Sequence, residues 1–148
     1  MTQARVIVLV GLPGSGKSTW ARTQAMQTLS SDEIRKLLSG DETNQSIHGP
    51  VFATMRHLLR TRLQTDPAPT IVDATNLRRR DRRPWLQIAK QFGVTAEAVY
   101  FDVPLELALA RNAKRDRVVP ADVIQMLQER LQPPTQEEGF SAIRTISS

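Results

Sequence analysis

The chain has 148 residues, enough for one domain with a real core, and 40% of them are apolar. It has no cysteine, which excludes a disulfide framework, a thiol nucleophile and a cysteine zinc site, and no apolar run approaches the roughly 20 residues of a membrane span. The net charge is +5, with 16 arginines among the 20 basic residues; an arginine bias suits a phosphate-rich ligand as well as it suits GC-rich codon usage, so position must decide.

In chain order, Arg5-Val6-Ile7-Val8-Leu9-Val10 is a continuous, β-branched run that predicts a strand over about 4–10, buried on both faces. With a strand beginning this early, no signal peptide is expected, and a cytoplasmic location fits the lack of cysteine. Gly11-Leu-Pro-Gly-Ser-Gly-Lys-Ser-Thr19 follows and fills the phosphate-loop pattern G-x-x-x-x-G-K-[ST]. Gly14, Ser15, Gly16, Lys17, Ser18 and Thr19 are the candidate ligands of a nucleoside triphosphate, and a helix over 17–25 adds its positive end. Lys17 should reach the β- and γ-phosphates, and the Ser18 hydroxyl should serve Mg²⁺. ATP and Mg²⁺ are therefore the expected co-substrate and metal.

A short strand from Met26 to Ser30 feeds a helix over about 32–39, started by Ser30 and Glu33 at capping-box spacing and ended by Gly40. Residues 41–49 read as a loop, and 50–64 as an amphipathic helix with Val51, Phe52, Met55, Leu58, Leu59 and Leu63 on its apolar stripe. Pro67 and Pro69 precede a buried strand, Thr70-Ile71-Val72-Asp73. Arg78 to Arg83 lead into a helix through about Gln91, stopped by Gly93. Thr95 to Val103 is a strand, Pro104 opens a helix to about Lys114, a further helix runs to Leu131, and residues 140–146 form a last strand. Alternating strands and helices predict one α/β domain over 1–148, a three-layer sandwich with a largely parallel sheet and its ligands beyond the strands' carboxyl ends.

Four stretches share an ordered resemblance. Leu29-Ser30-Ser31-Asp32-Glu33-Ile34-Arg35, Asp73-Ala74-Thr75-Asn76, Phe101-Asp102-Val103-Pro104 and Arg111-Asn112-Ala113-Lys114-Arg115 follow the phosphate loop as they do in polynucleotide 5′-kinases. Asn44-Gln45-Ser46 and Glu138-Gly139-Phe140 are similar to the kinase module of bacterial RNA-repair kinase-phosphatases, and the likeness spans Val6 to Phe140. It implies a P-loop kinase-like fold with an arginine-bearing lid over about 111–131, and transfer of the ATP γ-phosphate to 5′-hydroxyl ends of RNA or DNA. Asp32 is then the base that takes the hydroxyl proton, and Arg35 grips the phosphate after the acceptor nucleoside. Arg111 and Arg115 close over the triphosphate, Arg115 neutralising γ-phosphate charge together with Lys17, with Arg117 a further lid candidate. Asp73 stands where a second aspartate serves Mg²⁺, by direct ligation, through water, or as a structural hydrogen-bond partner.

Those relatives carry a fused phosphatase, whereas this sequence ends at Ser148, so separate phosphatase or ligase partners are expected. Two rivals remain: a small-molecule kinase on the same fold, and a non-enzymatic, nucleotide-gated RNA-binding module. The run from Arg78 to Arg83 suits a phosphate track and a solvated face equally, Trp20 and Trp85 suit packing better than base stacking, and His48 and His57 have no companions at metal-ligand spacing.

Overall fold

The computed structural model describes residues 4–115 and 118–147, so the lid candidate Arg117 lies outside the described residues. The strands are β1 (Arg5–Val10), β2 (Gln27–Ser30), β3 (Thr70–Asp73), β4 (Thr95–Phe101) and β5 (Ala142–Ile146). The helices are α1 (Lys17–Thr23), α2 (Ser31–Ser39), α3 (His48–Thr65), α4 (Arg79–Gln91), α5 (Leu105–Ala113) and α6 (Ala121–Arg130). The strands form one parallel sheet in the order β2-β3-β1-β4-β5.

β1 lies in the middle of the sheet, and alternation along it divides the core. Val6, Val8 and Val10 meet Met55 and Leu59 of α3 and Trp85 and Ile88 of α4 on one face. Ile7 and Leu9 meet Ala21 of α1, Ile71, Val99 and Phe101 on the other. A strand clamped between two helical layers must be apolar at every position, which is the pattern Val6 to Val10 shows. A third cluster of Leu12, Leu77, Ala108 and Ile124 ties α5 and α6 to the rim where the strands end.

The expected α/β sandwich is the one observed, with differences at the ends of elements. The 41–49 loop contains a 3-10 turn over Gln45–Ile47, and Asn44 Oδ1 accepts from Ser46 N at 2.9 Å to start it. α3 therefore begins at His48, which leaves Pro50 in the first turn, where a missing N–H costs nothing. Leu58, placed on the apolar stripe, is exposed, because the buried face of α3 is the narrower row Val51, Met55, Leu59. β4 ends at Phe101, and Pro104 caps α5 from outside rather than opening its first turn. Among the described residues, no helix is long and apolar enough to cross a membrane.

Candidate active site

The carboxyl ends of β1, β2 and β3 bring the predicted residues to one rim. Ser30 pairs in register with Asp73, so the first turn of α2 stands beside the end of β3. Gly11 N donates to Thr75 O at 3.0 Å, which seats the phosphate loop against the 73–76 segment. The loop also leans on α5: a Cβ at Gly14, where φ is +82°, would lie 2.4 Å from Ala108 O. Gly16, at φ +100°, caps α1, and only Arg111 Nη1 at 3.6 Å faces its missing Cβ, so the loop opens there.

Lys17 is buried, and its Nζ donates to Gly11 O and Leu12 O, both at 2.8 Å. Burial lowers its pKa from 10.5 to about 8, with Asp73 opposing the shift, Arg115 adding to it and Asp32 opposing it. Asp73, Asp32 and Arg115 therefore all lie within electrostatic reach of the loop ammonium. Ser18 Oγ donates to Asp73 Oδ2 at 2.8 Å.

Asp32 and Arg35 form an i,i+3 ion pair at 3.5 Å on α2. Their exposures differ: the Arg35 side chain is 6% exposed and that of Asp32 is 38% exposed. Arg35 is thus buried rather than waving from a helix surface, and the carboxylate is the accessible member. Ser30 Oγ accepts from Glu33 N at 3.3 Å, the capping bond expected at the start of this helix. On the opposite side, Arg111 Nη1 approaches Ser15 O at 3.5 Å, and Arg115 is partly buried one turn on. Gly14 to Ser18, Asp32, Asp73, Arg111 and Arg115 thus sit around the same loop, with Arg35 paired to Asp32 beside it; Thr19 follows on α1, exposed, its hydroxyl accepting from Arg22 at 3.3 Å.

The donor set fits a triphosphate with a hard cation. Ser15 Oγ is buried with no hydrogen-bond partner among the described residues, Lys17 commits two of its three N–H groups to loop carbonyls, and the first turn of α1 carries no acidic residue. Ser18 and Asp73 offer oxygen ligands, and among the described residues no three His, Asp or Glu side chains gather. Mg²⁺ is typically held in this way, by one or two protein oxygens with substrate phosphates and water.

Several contacts that hold the fold around the site had no local sequence signal. Asn76, at φ +48°, donates through Nδ2 to Leu9 O at 2.8 Å and accepts from Trp85 Nε1 at 2.9 Å, so it holds the rim loop to β1 and α4. Trp85 is core, and Trp20 packs edge-on to Phe101 with centroids 6.1 Å apart. Asn112 bonds both backbone groups of Val119 and so ties the residues just before α6 to α5. Arg82, from the middle of the arginine run, is fully buried. It pairs with Glu138 through two bonds of 2.8 and 2.9 Å and donates to the carbonyls of Asn76, Leu77 and Gln132. Arg78 caps α4 with Asp81. Two members of that run are thus structural, and their partners lie up to 56 residues away.

The AAA_33 model, described as an AAA domain, matches residues 6–134. The chain is 28% identical over 138 residues to the L-seryl-tRNA(Sec) kinase of Methanococcus maripaludis, covering 87% of this chain and 53% of that protein. It is 24% identical over 148 residues to the bifunctional polynucleotide phosphatase/kinase of Schizosaccharomyces pombe, covering 95% of this chain and 33% of that protein. The chain thus spans about half or less of these curated relatives. Its fold is similar to a chain of the Pnkp1/Rnl/Hen1 RNA repair complex, with TM-score 0.75, 20% identity, and coverage of 89% of this chain and 45% of that one. It is also similar to a gluconokinase of Sinorhizobium meliloti, with TM-score 0.64, 20% identity, and coverage of 99% and 84%. With the family model covering most of its length, the chain belongs to the AAA_33 family of AAA domains, a P-loop kinase family.

Proposed function

We propose that this protein is an ATP- and Mg²⁺-dependent kinase that phosphorylates the 5′-hydroxyl end of a polynucleotide. The observation that carries the acceptor half is the α2 pair: an accessible Asp32 carboxylate beside an Arg35 whose side chain is 6% exposed. Arg35 already pairs with Asp32, and a guanidinium beside the reacting hydroxyl suits a phosphate on the same acceptor as a further, bidentate partner. Relatives whose names describe polynucleotide and seryl-tRNA kinases favour an alcohol presented on a nucleic acid.

In this scheme, Asp32 accepts the proton of the 5′-hydroxyl as its oxygen attacks the γ-phosphorus. The bond to the β–γ bridging oxygen breaks, and ADP leaves. Lys17 leaves its loop carbonyls for the β- and γ-phosphate oxygens, and Arg115, with Arg111, neutralises charge on the moving phosphoryl group. Ser18 and Asp73 would hold Mg²⁺, which supplies charge neutralisation at the phosphates.

The test compares a nucleoside with its 3′-phosphorylated form as acceptor, using wild type and Arg35→Ala. The wild type should prefer the phosphorylated acceptor, and the variant should lose the preference mainly through KM. Equal use of both acceptors by the wild type would instead favour a small-molecule kinase, the second reading, which the gluconokinase-like fold makes concrete.

A further inference from the structure

A groove of about 570 Å³ lies away from the phosphate loop, between α4 and the segment that enters β5. That volume falls within the roughly 300–1,000 Å³ of ligand-holding clefts. Leu86, Val94 and Ala96 contribute its apolar lining, with Gly139 opposite. Arg79, Arg83 and Lys90 also line it. These cations are four and seven residues apart, hence on one face of α4, and from first to last they extend about 16 Å along the helix axis.

Among the described residues, two of the three cations of this stripe have no carboxylate beside them. Glu138 is the acidic residue in the lining, but both its oxygens are taken by Arg82, and Thr135 N adds a bond of 2.9 Å. Burial pushes the Glu138 carboxyl up, but its bonds from Arg82 and Thr135 outweigh this and hold it below its ordinary value. Arg79 reaches Thr135 Oγ1 at 3.1 Å and lies 4.0 Å from the exposed Glu137. Among the described residues, Arg83 and Lys90 have no carboxylate partner. Arg79 opens α4 three residues after Asn76, so the stripe begins where the chain leaves the 73–76 rim.

We infer that this groove is a track for the phosphodiester backbone of a single-stranded polynucleotide, with Arg83 and Lys90 as its phosphate contacts. A small anion would occupy one end of such a stripe, whereas a polymer with a charge every few ångströms can meet all of it. The apolar floor gives sugars and bases a surface that a convex solvated face lacks. The inference deepens the proposed function and rests on its nucleic-acid acceptor.

The test uses the full chain and an Arg83→Gln/Lys90→Gln double variant, whose changed side chains are exposed. Binding of a labelled, 5′-phosphorylated single-stranded oligonucleotide is followed by anisotropy across salt concentrations. The variant should bind about tenfold more weakly, and its log–log salt slope should fall by about 1.4, or about 0.7 per lost phosphate contact. Its transfer to a 3′-phosphorylated mononucleoside should be unchanged, while KM for a long 5′-hydroxyl oligonucleotide rises. Unchanged affinity and slope overturn the track even if oligonucleotides are phosphorylated, and the proposed function then stands without it. Stripe-dependent binding with no phosphorylation of any oligonucleotide supports the track and refutes the proposed function. Displacement by polyglutamate as effective as by an oligonucleotide of equal charge would assign the groove to an acidic polypeptide and overturn the inference.

Discussion

Nucleotide binding at mildly alkaline pH should draw a proton out of solution, because burial holds the Lys17 pKa near 8 before phosphates arrive. Bound phosphates replace the loop carbonyls with full negative charges and return the ammonium toward its ordinary value of 10.5. With those two values, uptake is about 0.1 proton at pH 7, about 0.5 at pH 8 and about 0.9 at pH 9. The phosphates themselves, with second ionisations near pH 6, stay charged across this window. Affinity should therefore fall about tenfold between pH 7 and pH 9, or about 1.4 kcal/mol. Titration calorimetry in buffers of different ionisation enthalpy reads the proton count directly. Lys17→Arg, charged throughout, should flatten the profile. An affinity constant from pH 7 to 9, with a buffer-independent enthalpy, would refute the placement of Lys17 in a desolvated, phosphate-facing position.

Other outcomes follow from single contacts. Gly14→Ala forces a positive φ and a 2.4 Å approach to Ala108 O; it should cost at least about 1–3 kcal/mol in denaturant unfolding and weaken nucleotide binding. Glu138→Gln leaves the buried Arg82 guanidinium without its anion and should cost about 3–5 kcal/mol. Because the Glu138 carboxyl is held below its ordinary 4.5, its stabilisation is full above that pH and is lost as pH falls through the folded value. The variant should therefore lose that part of the acid-side decline in a pH series of unfolding curves. Asp73→Asn should raise the Mg²⁺ concentration needed for half-maximal activity while leaving metal-free nucleotide binding nearly unchanged, since it removes the carboxylate beside Ser18.

The donor half of the site was legible in the sequence because its parts are contiguous. One apolar run, one glycine loop and one helix start occupy residues 5–23, and the physics of each is local. The first turn of α2 was legible for the same reason, through Ser30 and its capping bond. What the sequence did not disclose depends on partners distant along the chain. Arg82 looks like one more surface arginine until Glu138, 56 residues on, closes over it. Asn76 carries no local mark of its partner, because its bond to Leu9 O spans 67 residues. Arg35 drew its expected role from the resemblance alone, and only packing reveals that its side chain is buried. Helix periodicity overstated the stripe of α3 at Leu58, because periodicity gives a face but not the width that neighbouring layers cover.

The central claim is that the phosphate loop and the Asp32–Arg35 pair form the donor and acceptor halves of one site. Incubating the protein with γ-labelled ATP, Mg²⁺ and a 5′-hydroxyl oligonucleotide, and locating the label, tests it most directly. Label at the 5′ end, lost by about 10²–10⁴-fold in Asp32→Asn while nucleotide binding persists, is the predicted result. No label on the oligonucleotide across metals and strand lengths, or full activity in Asp32→Asn, would contradict it.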